Sequence, residues 1–345
     1  MNVTFLIGNG FDINLGLKTK YIDFYDLYIK SNKELDENNS IKKFCRIIEK
    51  EKPYETWADF EAAFAKNAFG TENDISDILA DFTVKFSDYL KNQTQLCNYG
   101  HKVRIEQFVH FLLKGYTHLE NRDKKIIERS YKKHEGESTS FNFVNFNYTD
   151  TLERLVNILK EKYIGIRPII NIHGKLNENI IIGIDSIDQF EDEDLKNNES
   201  VERYCVKYVI NDLMGNSDIE EAFIETIELS SIIYAYGISF GKSDQRRWNV
   251  ITEWMKKDDS HKLVIYKYDV DYKKYDVAYS LKRLDRIDEY KDEYLKILGF
   301  EKDEFGKYHD QIFIIDSTDV LKFKLINDEP PKADSSEETK EAATV

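Results

Sequence analysis

The chain has 345 residues, with 49 basic and 64 acidic side chains, a formal net charge of −15, and 41 % hydrophobic residues that include 21 Phe and 22 Tyr. This apolar stock suffices to bury a large core and excludes a chain disordered over most of its length, while 4 Pro and 15 Gly exclude a collagenous or low-complexity scaffold. The acid excess repels duplex nucleic acid unless a basic patch is concentrated somewhere, which puts nucleic acid behind a small molecule as the expected partner.

The chain opens as strand, tight turn and helix: an apolar run over 3–7, then Gly8-Asn9-Gly10, then a helical start near Phe11. This start lacks the charged residues and longer apolar core of a secretory signal, and no run approaches the roughly 18 apolar residues that cross a bilayer. A cytoplasmic protein with no membrane contact is expected. Amphipathic periodicity then predicts helices over 21–30, 41–50, 57–67, 75–91 and 103–119. After a polar break at 134–138, short apolar runs return at 141–146, 169–172, 180–184, 232–236, 263–267 and 312–315. Helical patterns over 151–162, 202–213, 244–257 and 272–298 separate several of them.

Strands apolar on both faces, alternating with helices, specify a mostly parallel sheet covered by helices. The fold class is therefore α/β, a Rossmann-like sheet carrying a large helical insertion. Residues 1–20 and 138–326 form the expected core, 21–137 the insertion, and 327–345 an acidic, disordered tail. Cys45, Cys97 and Cys205 are far apart with no Cys-x-x-Cys or Cys/His cluster around them, so neither a disulfide framework nor a zinc site is expected.

Open parallel sheets bind ligands at the carboxyl ends of their strands, so the residues that follow each apolar run carry the functional reading. Gly8-Asn9-Gly10-Phe11-Asp12 follows the first. Its glycines would let backbone approach a phosphate, although Ile13 stands where a dinucleotide fingerprint has its third glycine, and a strand-to-helix turn needing positive φ explains the same residues. Asn147 follows the next run, where its amide could hold a sugar hydroxyl or an attacking water. Asp150, with Glu153 three residues on, also fits a helix cap. His173 ends a strand beside Gly174, a position suited to a base near neutral pH and equally to a structural histidine. Gly237, Ser239 and Asp244 follow a later run and read either as a second ribose or phosphate cradle or as an ordinary capped helix start.

Two competing features lie in the helical block. Arg104 with His110, and Arg129 with His134, match the loose Arg-x(4–6)-His spacing of metal-independent HEPN-type ribonucleases, a spacing that chance also produces. Asp59 and Glu61 could form an acidic pair, but residues two apart do not share a helix face, so a solvated helix with Trp57 and Phe60 buried is expected.

Taken in order, LIGNGFDINLGLKTKYIDFY, WADFE, FVNFNYTDTLERL, NIHGKL followed by IIIGID, and YGISFGKSD resemble the AbiH family of bacteriophage abortive infection proteins, from residue 4 to about 257. The resemblance implies a bacterial defence protein that stops phage multiplication at the expense of the infected cell, with a phage or host trigger and room for a homo-oligomer. The same strand-end set is similar, more distantly, to the SIR2-like NAD-binding fold of several defence NAD hydrolases. That likeness implies NAD as ligand or substrate, no metal, Asn147 as the catalytic Asn and His173 as the base. Gly8, Asn9, Gly10, Phe11 and Asp12 would then meet the phosphates, and Asp150, Gly237, Ser239 and Asp244 would complete the cofactor-binding set. The cysteine pairs that hold zinc in sirtuin deacetylases are absent, which argues against deacylation. The alternatives are an HEPN-like ribonuclease acting from the helical block and a non-enzymatic nucleotide-binding sensor.

Overall fold

A computed structural model describes residues 1–54, 57, 59–99, 102–160, 165–269, 280–318 and 320–326. The acidic tail lies outside the described residues. Six strands, β1 (Asn2–Ile7), β2 (Ser140–Asn145), β3 (Ile166–Asn171), β4 (Ile232–Tyr236), β5 (Lys262–Lys267) and β6 (Ile312–Asp316), form one all-parallel open sheet in the order 3-2-1-4-5-6. The α/β, Rossmann-like expectation holds. β1 is central, and five of its six residues are buried, as a strand covered on both faces requires.

The helices follow in chain order. α1 (Gly10–Asn14), α2 (Tyr21–Ser31), α3 (Ser40–Glu51), α4 (Phe60–Asn67), α5 (Glu72–Gln95), α6 (Lys102–Lys114) and α7 (Asn121–Lys133) lie between β1 and β2. After β2 come α8 (Thr151–Lys160), α9 (Glu193–Lys196), α10 (Glu199–Cys205), α11 (Lys207–Leu213), α12 (Ser217–Glu228), α13 (Gln245–Lys257), α14 (Ser280–Ile297) and α15 (Phe305–Tyr308). No helix among the described residues is long and apolar enough to cross a membrane.

Three apolar clusters hold these elements. On one sheet face Phe5 stacks between its register partners Phe143 and Tyr234, at 5.5 and 5.1 Å between ring centroids, and Phe108 and Phe111 of α6 and Ile127 of α7 join the same cluster. Such cross-strand aromatic pairs fix register. On the other face Leu6, Val144 and Ile265 pack under Trp248 and Trp254 of α13 and Tyr294 of α14. The third cluster joins α2 through α5 to the segment 176–206, with Phe60 stacked on Phe82.

Three element boundaries depart from expectation for identifiable reasons. The helix expected from residue 57 starts at Phe60, because Asp59 caps it by accepting from the Ala62 N–H at 3.1 Å. The apolar run 180–184 is not a strand. Its strand-type pairing is limited to isolated bridges, Gly174 to Ile180 and Ile184 to Val206, and Ile180, Ile182 and Ile184 bury into the helical cluster. The second bridge breaks the helix expected over 202–213: Ile184 N–H donates to Cys205 O at 2.7 Å and Lys207 N–H to Ile184 O at 2.9 Å, so the chain leaves α10 and restarts as α11. The end of the helix expected over 151–162 and the start of that over 272–298 lie outside the described residues.

The turns after β1 and β4 lock together. Gly8 N–H donates to Tyr236 O at 2.9 Å and Gly10 N–H to Gly237 O at 3.0 Å. A Cβ at Gly10 would stand 2.5 Å from the Gly237 Cα, and Gly237 itself has φ of +67°. Gly10→Ala is therefore expected to lower unfolding free energy by about 1–3 kcal/mol through backbone overlap, read by urea denaturation. A loss under about 0.5 kcal/mol would mean that the two turns part without cost.

Candidate functional site

The strand order reverses between β1 and β4, and in such sheets the crevice beyond the carboxyl ends at that point is the ligand site. A cavity of about 540 Å³ lies there, a size usual for small-molecule sites. Its floor comes from the ends of β1, β2, β3 and β4, and its roof from Tyr21 of α2, Glu61 of α4, and Phe86 and Leu90 of α5. The helical block thus covers the carboxyl edge of the sheet at this point.

Nine of the strand-end residues singled out from the sequence line this cavity, Gly8, Asn9, Gly10, Asp12, Asn147, His173, Gly237, Ser239 and Asp244, and so do Asp59 and Glu61 of the acidic pair. Phe11 and Asp150 do not. Phe11 points into the sheet core against Phe108 and Tyr236, and Asp150 pairs with Arg154 one helical turn on, at 2.8 Å. Gly8 and Gly10 line the cavity, but their N–H groups and close approaches are taken by the β4 turn. Asn9 is occupied as well: its amide donates to Thr19 O at 3.1 Å and accepts from the Thr19 hydroxyl, which ties the β1 turn to the start of α2.

Asn147 is the exception to this self-sufficiency. The residue is 5 % exposed, and neither its amide nitrogen nor its amide oxygen has a hydrogen-bond partner. Orphaned buried amides are costly, and this one belongs to a cavity wall. Its placement is enforced by the Asn145 side chain, whose Oδ1 accepts the Asn147 backbone N–H at 3.1 Å while its Nδ2 donates to Asn171 Oδ1 at 3.0 Å. A polar residue inside the apolar run FVNF was the available signal for Asn145.

His173 sits between two acceptors, Asp244 Oδ1 at 2.9 Å from Nε2 and Phe146 O at 3.2 Å from Nδ1. Burial pushes its pKa down to about 4 against the pull of Asp244, so the ring is neutral at pH 7 and donates to one of the two. The shorter, charge-assisted contact to Asp244 takes the proton. Both ring nitrogens are turned to protein in this arrangement.

Asp244 anchors a buried ionic cluster. Its Oδ1 also receives Arg247 at 2.9 Å and Lys207 at 3.3 Å. Lys207, 1 % exposed, further donates to Glu61 Oε2 at 2.8 Å and Ser243 O at 3.0 Å, and Arg247 reaches Glu220 at 3.2 Å. Burial opposes the charge on Lys207, but Asp244 and Glu61 outweigh it and hold its pKa above the ordinary value. Burial likewise opposes the Asp244 carboxylate, which its three cationic or donor neighbours hold well below the usual range. Glu61 is the opposite case, pushed by burial up to about 7 despite Lys207. Glu61 is buried, contrary to the expected solvated helix: Gly183 N–H and the Tyr148 hydroxyl donate to it at 3.2 and 3.3 Å. Lys207 had escaped the sequence reading, where a lysine among the apolar residues of VKYVI was its one mark.

The loop after β4 carries local strain. Phe240 adopts φ of +53°, rare for an aromatic residue, and is held by burial of its ring against Trp248 and Tyr294. Ser239 and Gly241 on either side line the cavity. The Arg/His pairs of the helical block lie elsewhere: His110 is exposed, His134 bonds Glu137 at 2.7 Å, and neither lines the cavity.

Removing Lys207 strands buried carboxylates. Lys207→Met is expected to cost about 3–5 kcal/mol of stability in denaturant unfolding, and adding Glu61→Gln is expected to restore part of it. Equal stabilities of wild type and Lys207→Met would show that the cluster holds nothing together.

No curated protein matches the chain. The family described as bacteriophage abortive infection AbiH matches residues 4–266, which takes in β1, the helical block, the cavity floor and β5. A match over well over half of the chain, including every strand end that builds the crevice, places this protein in the AbiH family of bacteriophage abortive infection proteins.

Proposed function

We propose that this abortive-infection protein binds NAD in the crevice between β1 and β4 and hydrolyses its nicotinamide–ribose bond, depleting the dinucleotide in infected cells. The observation that carries the reading is the unpartnered Asn147 amide at the reversal of strand order of a Rossmann-like sheet. The likeness of the strand-end segments to the SIR2-like fold supports it.

The reaction asks little of the protein's acids. The cationic nicotinamide ring departs with the C1′–N electron pair as a neutral molecule, the ribose carbon acquires oxocarbenium character, and water adds to it. Asn147 is suited to orient that water or a ribose hydroxyl through its donor and acceptor pair, with His173 as the neighbouring polar wall. The phosphates would meet Lys20 and Ser239, both in the cavity lining. Glu61 and Asp244 present little net repulsion, because Lys207 and Arg247 already compensate them.

Asn147→Ala is expected to lower NAD cleavage at least about 100-fold, with nicotinamide release followed by chromatography, and to abolish phage protection while the protein stays folded. His173→Ala is expected to lose activity in the same assay. Measurements belong both on purified protein and in phage-infected cells, since a defence effector can await its trigger. NAD bound but unaltered in infected cells would favour a nucleotide sensor, and RNA cleavage abolished by His110→Ala would favour the ribonuclease.

A further inference from the structure

Asp12 lies in α1, directly after the β1 turn, lines the same cavity and is fully buried. One carboxyl oxygen accepts from the Thr149 hydroxyl at 2.5 Å. The other, Oδ1, has no hydrogen-bond partner. A buried carboxyl is ordinarily neutralised by a cation, as Asp244 is here, yet no salt bridge joins Asp12 to any described residue. The groups that face it are the hydroxyls of Thr149 and Thr151, the Asp150 carboxylate and the Cys97 thiol, and burial keeps that thiol neutral. His173 donates from Nε2 to Asp244 and turns Nδ1 toward the Phe146 carbonyl, and Glu61, the other lining carboxyl raised to about 7, is held by Lys207, the Gly183 N–H and the Tyr148 hydroxyl.

We propose that the Asp12 carboxylate, through its unpartnered oxygen, is the general base that takes the proton from the water attacking the nicotinamide ribose. The role rests on the NAD hydrolysis reading above. In the step, the C1′–N bond breaks with its electron pair leaving on nicotinamide, the water oxygen bonds C1′, and the water proton passes to Asp12 and then to solvent. Burial raises the Asp12 pKa to about 7, chiefly by desolvation, with the Thr149 and Thr151 hydroxyls opposing and the Asp150 charge adding to the rise, so the group exchanges a proton at physiological pH.

The test is Asp12→Asn, which preserves shape and removes the titration, alongside Asn147→Ala. Expected for Asp12→Asn are NAD binding within about threefold of wild type and cleavage down by about 10²–10⁴-fold. The wild-type rate should rise with pH through about 7 and the residual rate of the variant should be flat. Thr149→Val, which removes a hydrogen bond that favours the carboxylate, should move the wild-type limb to higher pH. Folding is checked by melting. Because the folded pKa lies above the unfolded value of 3.8, the buried carboxyl lowers stability progressively as pH rises from about 4 to about 7, so Asp12→Asn should gain melting temperature relative to wild type across that window. Full cleavage with an unchanged pH profile in Asp12→Asn, beside loss in Asn147→Ala, would overturn the role of Asp12 and leave the hydrolase reading standing. Absence of cleavage by wild type in infected cells would overturn both.

Discussion

One buried lysine joins the separate parts of this molecule. Lys207 stands at the start of α11, in the break between two helices, and ties α4 of the helical block, through Glu61, to the β4–α13 loop, through Asp244 and the Ser243 carbonyl. Its partners pass the constraint on. Asp244 fixes the His173 ring after β3, and Glu61 fixes the Gly183 backbone and the Tyr148 hydroxyl after β2. A charge this deeply buried is tolerated only where every neighbour is in register, so the cluster selects one relative placement of roof and floor. The depth of the crevice follows from that placement.

The floor has a different origin. An all-parallel sheet in the order 3-2-1-4-5-6 sends the chain away from β1 in opposite directions, which leaves the ends of β1 and β4 uncovered by their own crossovers. Here those two ends touch. The glycines of the β1 turn let its backbone pass against Gly237, so the turn is rigid before any ligand arrives. Their first physical use is turn-to-turn packing, and the unpartnered polar atoms of the crevice belong to the side chains of Asp12 and Asn147. Preorganisation of this kind moves the ordering cost from binding to folding.

Much of this was legible in the sequence because strand ends punctuate themselves: apolar runs stop at Gly8, Asn147, Gly174 and Gly237, and nine of the residues read there meet in one cavity. The roof was not. Glu61 follows a helix cap and has no local pattern that distinguishes a solvated carboxylate from one whose partner is 146 residues away. Lys207 and Asn145 are single polar residues in apolar context, which periodicity treats as noise and burial treats as signal. The run 180–184 shows the converse limit. Its hydrophobicity is real, but it buries against helices, and nothing within five residues says which kind of surface will cover them.

Charge bookkeeping connects these observations to the acidic composition of the chain. A net charge of −15 suggests a crevice hostile to an anion, and four carboxylates, Asp12, Asp59, Glu61 and Asp244, do line it. Their environments differ. Asp59 is turned to the α4 N-terminus, where it caps the helix, and Asp244 and Glu61 share Lys207 and Arg247. Asp12 has no compensating cation among the described residues, and burial there favours the neutral acid. The local field is therefore much weaker than the composition implies, and of the two lining carboxyls that burial raises to about 7, Glu61 is held by Lys207 while Asp12 has no cation beside it. A bound dianion would raise the pKa of Asp12 further by like-charge repulsion, whereas a cationic nicotinamide ring beside it would lower it, so the protonation of the crevice depends on which end of the ligand lies nearest.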